Sequence, residues 1–261
     1  MNGVDSASFE LNITGSFQRD SVVLFSDISF ELKQSCWTCL LGSSGVGKST
    51  LLRLLAGLST GGQFIGQIRT SHESITADQG TNQNSNANNV ANVISYMAQT
   101  DLLFPWLDVR QNIMLGRRLR NKKEPDNHDP QKVAHLIEQV GLSAHEHKRP
   151  HQLSGGMRQR VALARTLMED QPIVLLDEPF SALDARTRDD MQSLAFDMLK
   201  HKTVLLVTHD PAEAVRLAHH LYVMTEDGIH SHPTPSSEPA REVDNTVTLS
   251  AQASLLKVLK S

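Results

Sequence analysis

The feature that most constrains this chain is the glycine-rich segment Gly42-Ser43-Ser44-Gly45-Val46-Gly47-Lys48-Ser49-Thr50. It follows the apolar run Cys39–Leu41 and precedes leucines at helical spacing in Leu51–Leu58, so the local order is strand, glycine loop, helix. The glycines let several backbone N–H groups point at one phosphate chain, and the helix N-terminus adds the positive end of its dipole. Lys48 would neutralise the β- and γ-phosphates, and the Ser49 hydroxyl would ligate Mg²⁺. The segment therefore predicts a site for a nucleoside triphosphate.

Length and charge restrict the class of protein. The 261 residues suffice for one large α/β core with an inserted or appended subdomain. A net charge of −4 without a basic stripe disfavours nucleic acid as a partner. The start of the chain, Met1–Asp5, carries no charged leader with an apolar segment behind it, and no apolar run reaches the ~18 residues that span a bilayer. We expect a cytosolic protein in which Cys36 and Cys39 are reduced and structural.

Apolar patterning predicts the fold class. Residues 8–33 alternate apolar and polar side chains, which is typical of antiparallel strands. Ile173–Leu176 and Thr203–Val207 are continuous apolar runs, as in parallel strands covered on both faces. Between about Thr100 and Gln152 the apolar spacing changes to three and four, which indicates helices. The prediction is an α/β protein: a P-loop core, an antiparallel β subdomain and an inserted α-helical subdomain.

Polar groups follow three of the expected strands. Gln99 follows the short run Val93–Ala98. Asp177 and Glu178 follow the run Ile173–Leu176, and His209 comes just after the run Thr203–Val207. In an open α/β sheet, ligands bind at the carboxyl ends of the strands. We therefore expect these side chains to share the edge at which the glycine loop lies.

Several segments leave two interpretations open. Phe17, in a turn region, either stacks on an adenine ring or belongs to the core. Asp101–Leu107 carries large apolar groups beside a proline; they either pack under a helix or form a protein-docking patch, and docking is favoured. The polar tract Ser71–Asn89 indicates a flexible surface loop. After Gly228 we expect a loop and then the amphipathic stretch Leu255–Leu259.

Taken in order, these motifs resemble the ATP-binding subunit of ABC transporters, over roughly Phe9 to Met224. The string Leu153-Ser154-Gly155-Gly156-Met157-Arg158-Gln159-Arg160 separates that family from other P-loop NTPases. Leu103–Leu107, close after Gln99, resembles the importers of nitrate, sulfonate, taurine and thiamine-type pyrimidines. The resemblance implies a single ABC ATPase domain over residues 1–261, with a catalytic core at 1–99 and 153–228, a helical subdomain at 100–152 and a tail at 229–261.

The resemblance also implies roles for the polar groups. ATP and Mg²⁺ would be the ligands, with Asp177 and Gln99 at the metal beside Ser49. Gln99 would also contact the attacking water. Glu178 would polarise that water, and His209 would hydrogen-bond the γ-phosphate and hold water and base in line.

Partners follow from the same resemblance. Ser154, Gly155 and Gly156 would bind the ATP of a second copy, which gives a head-to-tail dimer with two nucleotides between the subunits. Asp184 would couple the two sites, although it could also simply N-cap the next helix. Permease subunits would dock near Leu102–Trp106 at the cytoplasmic face of the inner membrane, with an extracytoplasmic solute-binding protein as an indirect partner. The alternative function is a soluble ABC ATPase that acts on ribosomes or DNA.

Overall fold

The computed structural model describes residues 11–70, 74–77, 93–120 and 129–259. Within them, the strands and helices in chain order are β1 (Leu11–Arg19), β2 (Val22–Leu32), β3 (Trp37–Gly42), α1 (Lys48–Leu55), β4 (Gln63–Thr70), β5 (Ser74–Ala77), β6 (Ile94–Met97), α2 (Val109–Arg120), α3 (Asp129–Gln139), α4 (Gly155–Glu169), β7 (Ile173–Asp177), α5 (Ala185–Leu199), β8 (Thr203–Thr208), α6 (Pro211–Leu217), β9 (His220–Thr225), β10 (Gly228–His232) and α7 (Thr246–Val258). Short 3₁₀ helices cover Ser143–His145 and Pro150–Gln152. Among the described residues, no helix has both the length and the apolar character needed to span a bilayer.

The strands form two sheets. One is antiparallel with the order β2-β1-β4-β5, and the other has the order β10-β9-β3-β8-β7-β6. In the larger sheet β3 pairs in parallel with β8 and β9, and β7 pairs in parallel with β6 and β8. Only the β9–β10 pair of that sheet is antiparallel. The α/β prediction, with its separate antiparallel sheet, is confirmed.

The central strands are buried on both faces, which explains their continuous apolar sequences. Every residue of β3, β7 and β8 is buried. Successive side chains alternate between two apolar clusters. Leu40 and Leu205 pack with the antiparallel sheet and α1, whereas Leu41 and Leu206 pack with the helices on the opposite face. The strand ends at which polar residues gather are therefore held by a rigid core.

The structure decides one open alternative and differs from two expectations. Phe17 is 1 % exposed, and its ring stacks on Phe25 with the ring centroids 5.6 Å apart, so it is a core residue. The polar tract contains strand β5, which pairs with β4, while 71–73 and 78–92 lie outside the described residues. The segment after Gly228 begins as strand β10 rather than as a loop, because its backbone completes the sheet edge beside β9.

Candidate functional site

The glycine loop connects β3 to α1 with the backbone geometry that a phosphate site requires. Gly47 has a φ of 107°, which favours glycine, and a Cβ there would also crowd the ring of Phe25 at 3.2 Å. Gly45 also has a positive φ, 89°. No side chain caps the N-terminus of α1. Its first N–H groups are thus directed at the loop and suit an anion.

Lys48 is fixed at the floor of this loop. Its Nζ donates hydrogen bonds to the carbonyl oxygens of Gly42 and Ser43, both at 2.7 Å. Burial lowers the pKa of the ammonium, and the carboxylates of Glu178 and Asp177 oppose that shift. Lys48 and Glu178 line the same pocket, and a phosphate that entered it would contact the ammonium.

A hydroxyl and a carboxylate lie together beside Lys48 in a manner suited to Mg²⁺. The Ser49 hydroxyl donates to Asp177 Oδ1 at 3.0 Å. Burial raises the pKa of Asp177, as does nearby Glu178, while the Ser49 bond lowers it. In the described parts of the chain no cluster of three or more His, Cys, Asp or Glu could hold a metal alone. Since Mg²⁺ prefers oxygen ligands and keeps several waters, Ser49 and Asp177 fit a metal that nucleotide and water would complete.

Two of the three residues expected to be catalytic contact one carboxylate oxygen of the third. The Gln99 amide donates to Glu178 Oε2 at 3.1 Å, and His209 Nδ1 lies 3.1 Å from the same oxygen. Glu178 has a φ of 48°, and its amide donates to Val207 O at 2.9 Å, which fixes the turn that directs the side chain into the pocket. Its side chain is 11 % exposed. Gln99, Glu178 and the glycine loop line one pocket of about 250 Å³.

The Ser154 region lies apart from that pocket. Ser154 is exposed, and its hydroxyl N-caps α4 by accepting from the amide of Met157 at 3.2 Å. A Cβ on Gly156 would lie 3.3 Å from Leu183, so the helix start contacts the turn that ends at Asp184. Asp184 N-caps α5 through the amide of Thr187, and that bond lowers its pKa. Within the described chain, neither Ser154 nor Asp184 lines the Lys48 pocket.

Two pocket residues were missed by sequence reasoning. Arg19 and Leu24, from either side of the β1–β2 turn, line the pocket together with the glycine loop. The Arg19 Nη2 donates to Thr60 O at 2.5 Å, while its Nε is buried with no partner among the described residues. In the sequence, the aromatic candidate for a nucleobase platform is Phe17. A planar guanidinium also stacks on rings, and that is the property that could have identified Arg19.

The segment 100–107, named here the docking segment, exposes apolar side chains. Leu102, Phe104 and Trp106 are 61 %, 39 % and 64 % exposed, and the last two rings meet edge to face with centroids 5.1 Å apart. Leu103, in contrast, packs against the core. Beside the segment is a groove of about 300 Å³, lined by Ala56, Leu58, Ile94, Ser95, Tyr96, Arg165, Thr166 and Glu169. Large exposed apolar side chains next to a groove are typical of a protein interface.

Comparison with known proteins decides the family. The profile described as ABC transporter matches residues 25–181. The chain belongs to the ABC transporter family. A relative from Haemophilus influenzae, an uncharacterized ABC transporter ATP-binding protein, is 41 % identical over 90 % of this chain and 92 % of its own length.

Other relatives in this family have names that state a cargo. The aliphatic sulfonates import ATP-binding protein SsuB 1 of Rhodococcus jostii is 40 % identical over 82 % of this chain and 78 % of its own. The nitrate import ATP-binding protein NrtD of a Synechocystis species is 36 % identical over 83 % and 76 %. The expected likeness to importers of sulfonate and nitrate is confirmed.

Solved structures of ABC cassettes share the fold. The cassette MJ0796, solved as a dimer in a post-hydrolysis state bound to ADP and Pi, has a TM-score of 0.75 at 21 % identity. The match covers 87 % of this chain and 100 % of the MJ0796 chain. At this identity the comparison establishes the architecture of the ABC cassette.

Proposed function

We propose that this ABC family member is the ATP-hydrolysing subunit of an importer for a small organic or oxyanion solute, peripheral at the cytoplasmic face of the inner membrane. The observation that carries the proposal is the meeting of Gln99 and His209 on one oxygen of Glu178, beside Lys48. The importer class is supported by relatives named for sulfonate and nitrate import. The proposed organisation of the chain is a catalytic core, a helical subdomain (100–152) and a tail (229–261).

The chemistry is hydrolysis of the γ-phosphate of ATP. Lys48 and the N–H groups of the glycine loop would bind the phosphates, and bound Mg²⁺ would neutralise charge between them. Because both neighbours contact Oε2 of Glu178, its Oε1 is left to accept a hydrogen bond from the attacking water. Gln99 and His209 then serve to orient the base. General-base assistance of this kind contributes about 10²–10⁴ in rate.

The nucleobase would lie at the opposite end of the pocket, on Arg19. Arg19 and Leu24 come from the antiparallel sheet, whereas Gln99 and Glu178 mark the end at which water attacks. The Thr60 carbonyl fixes the plane of the guanidinium. A fixed guanidinium stacks on a purine through cation–π attraction and dispersion. Arg19 thus takes the place proposed for Phe17.

A second copy of the chain would complete each site. Ser154 and the N–H groups after it form a helix N-terminus that suits a phosphate, yet the Lys48 pocket does not include them. A head-to-tail dimer brings this N-terminus onto the nucleotide of the other copy, with two equivalent sites. Asp184 follows the turn that contacts Gly156, so it would lie near that interface. MgATP would favour the closed dimer because both copies bind its γ-phosphate.

The docking segment would bind the permease. Phe104 and Trp106 are exposed aromatic side chains, a type that is enriched at protein interfaces, and the exposed Leu102 adds apolar surface beside them. The importer class can be tested by purifying the tagged chain from detergent-solubilised membranes. We expect an integral membrane protein to copurify with the tagged chain but not with the tagged Trp106→Ala variant. Recovery of ribosomes or DNA instead would support the alternative function.

A further inference from the structure

The turn that carries Glu178 has a backbone conformation that its own sequence disfavours. Glu178 has a φ of 48°, in the left-handed region that L-residues rarely adopt. Pro179 follows it, and a proline ring favours extended conformations in the residue before it. Such a conformation persists only where surrounding groups fix it. The groups that fix this turn therefore decide where the Glu178 carboxylate lies.

The strands of the core fix only the start of the turn. Asp177 is the last residue of β7, and the Glu178 amide donates to Val207 O of β8 at 2.9 Å. The Glu178 carbonyl accepts from the Ser181 hydroxyl at 3.0 Å and from the Ser181 amide at 3.3 Å. Because Ser181 belongs to the same turn and would move with it, these two bonds do not attach the turn to another element.

A buried glutamine of α4 makes that attachment. Gln159 is 4 % exposed, and its Nε2 donates to Pro179 O at 2.9 Å and, over a longer distance of 3.4 Å, to Glu178 O. These carbonyls belong to the two peptide planes on either side of Pro179, so one side-chain amide fixes the orientation of both planes. Since the site is buried, no bulk water can replace the amide as a donor there.

We propose that Gln159 is a positioning residue for the base: it holds the strained turn so that the Glu178 carboxylate meets Gln99 and His209. Glu178 Oε2 lies 3.1 Å from both the Gln99 amide and His209 Nδ1. If the turn relaxed to a negative φ, the Cα–Cβ bond of Glu178 would point elsewhere and withdraw the carboxylate from these partners. A misplacement of about 1 Å can cost about 10²-fold in rate. The inference deepens the proposed function and rests on Glu178 as its base.

The variant Gln159→Met tests the inference, because methionine has a similar length and no N–H donor. We expect kcat for ATP hydrolysis to fall by about 10–10²-fold, and KM for ATP to stay within about twofold of the parent value. The MgATP dimer should still form. Gln159→Asn, which withdraws the amide by one methylene, should lower kcat in the same way. Gln139→Met is the matched control: Gln139 ends α3, its Oε1 is buried without a partner among the described residues, and kcat should be unchanged.

The Glu178→Gln background separates positioning of the base from a general effect on the fold. Because no base is left to position there, adding Gln159→Met should change the single-turnover rate by less than about twofold. An equal fall in both backgrounds would overturn the inference alone, and so would an unchanged kcat in Gln159→Met and Gln159→Asn. Failure of both variants to fold would also overturn it, since the amide would then serve the fold. Near-normal hydrolysis in Glu178→Gln would contradict the proposed function, and with it the inference.

Discussion

The N-terminus of α1 follows a glycine loop and that of α4 begins with two glycines, and the two ends differ in what surrounds them. Lys48, the first residue of α1, is 5 % exposed and lies in a pocket that also contains Gln99 and Glu178. The α4 N-terminus is exposed and capped only by its own Ser154. One chain therefore carries a glycine loop in a pocket with Gln99 and Glu178 and, separately, an exposed helix N-terminus without such groups. This difference is the reason for the proposed dimer, in which each copy would complete the other.

The largest effect is expected at the α1 end. Glu178→Gln removes the base but leaves an oxygen that can accept the Gln99 hydrogen bond, so ATP hydrolysis should fall by about 10²–10⁴. ATP binding and the MgATP dimer should persist, because Ser154 is unchanged. Phosphate release and size-exclusion chromatography measure the two effects. Glu226→Gln, in an exposed turn, is the matched control, and near-normal hydrolysis in Glu178→Gln would remove Glu178 from its role.

A nearly equal loss of ATP hydrolysis is expected at the α4 end. There the variant should lose the MgATP dimer, which Glu178→Gln keeps. Ser154→Arg fills the anion site and should abolish the MgATP dimer, with hydrolysis reduced by about 10²-fold, since one set of γ-phosphate contacts is lost. Nucleotide binding by the monomer should be retained. Equilibrium dialysis with ATP and light scattering separate these properties. A stable dimer of Ser154→Arg would show that α4 lies outside the interface.

A smaller effect is expected at the nucleobase end of the α1 pocket. Arg19→Ala should raise KM for ATP by about tenfold with little change in kcat, because a stacking contact is made equally in the ground and transition states. Arg19→Tyr should restore most of the affinity, and Phe17→Leu should leave KM unchanged in protein that folds. If Arg19→Ala had a normal KM, the base would have to lie elsewhere.

The smallest effect concerns a group that touches neither N-terminus. Glu213 is buried under the His209 turn, accepts from Gln192 at 3.2 Å, and has a pKa raised to about 7 by burial. Because the unfolded pKa is lower, near 4.5, the protonated form stabilises the fold, and this contribution is lost as the pH rises through about 7. Glu213→Gln should therefore be more stable than the parent above pH 7 but similar near pH 4.5. Thermal unfolding of both proteins across this range measures the difference, and parallel curves would refute it.

The sequence predicted those parts of the site that depend on local backbone or on a shared sheet edge. The glycine loop needs no tertiary information, and Gln99, Glu178 and His209 each follow a buried strand of one sheet. Phe17 could not be placed this way. The β1–β2 pairing shifts register on both sides of Phe17, so the alternation of inward and outward side chains is interrupted there.

Other features depended on contacts distant in sequence. Arg158 and Asp101 are 57 residues apart, and no local pattern pairs them. Strand β10, Gly228–His232, has few apolar side chains, so its sequence does not predict a strand. Its backbone pairs with β9, and that pairing makes it one. Sequence reasoning thus predicted that Gln99, Glu178 and His209 share one sheet edge but missed the contacts between the docking segment and α4.

The central claim is that Lys48 of one copy and Ser154 of its twin act on the same ATP, and mixing two defective chains tests it most directly. Lys48→Met and Ser154→Arg should each be inactive alone, because the first lacks the cation at both of its sites and the second does not dimerise. In a mixed dimer, one site combines an intact Lys48 with an intact Ser154. The account predicts that mixing restores hydrolysis well above the level of either variant alone, because that one site is complete. Mixtures that stay inactive while mixed dimers form would contradict it.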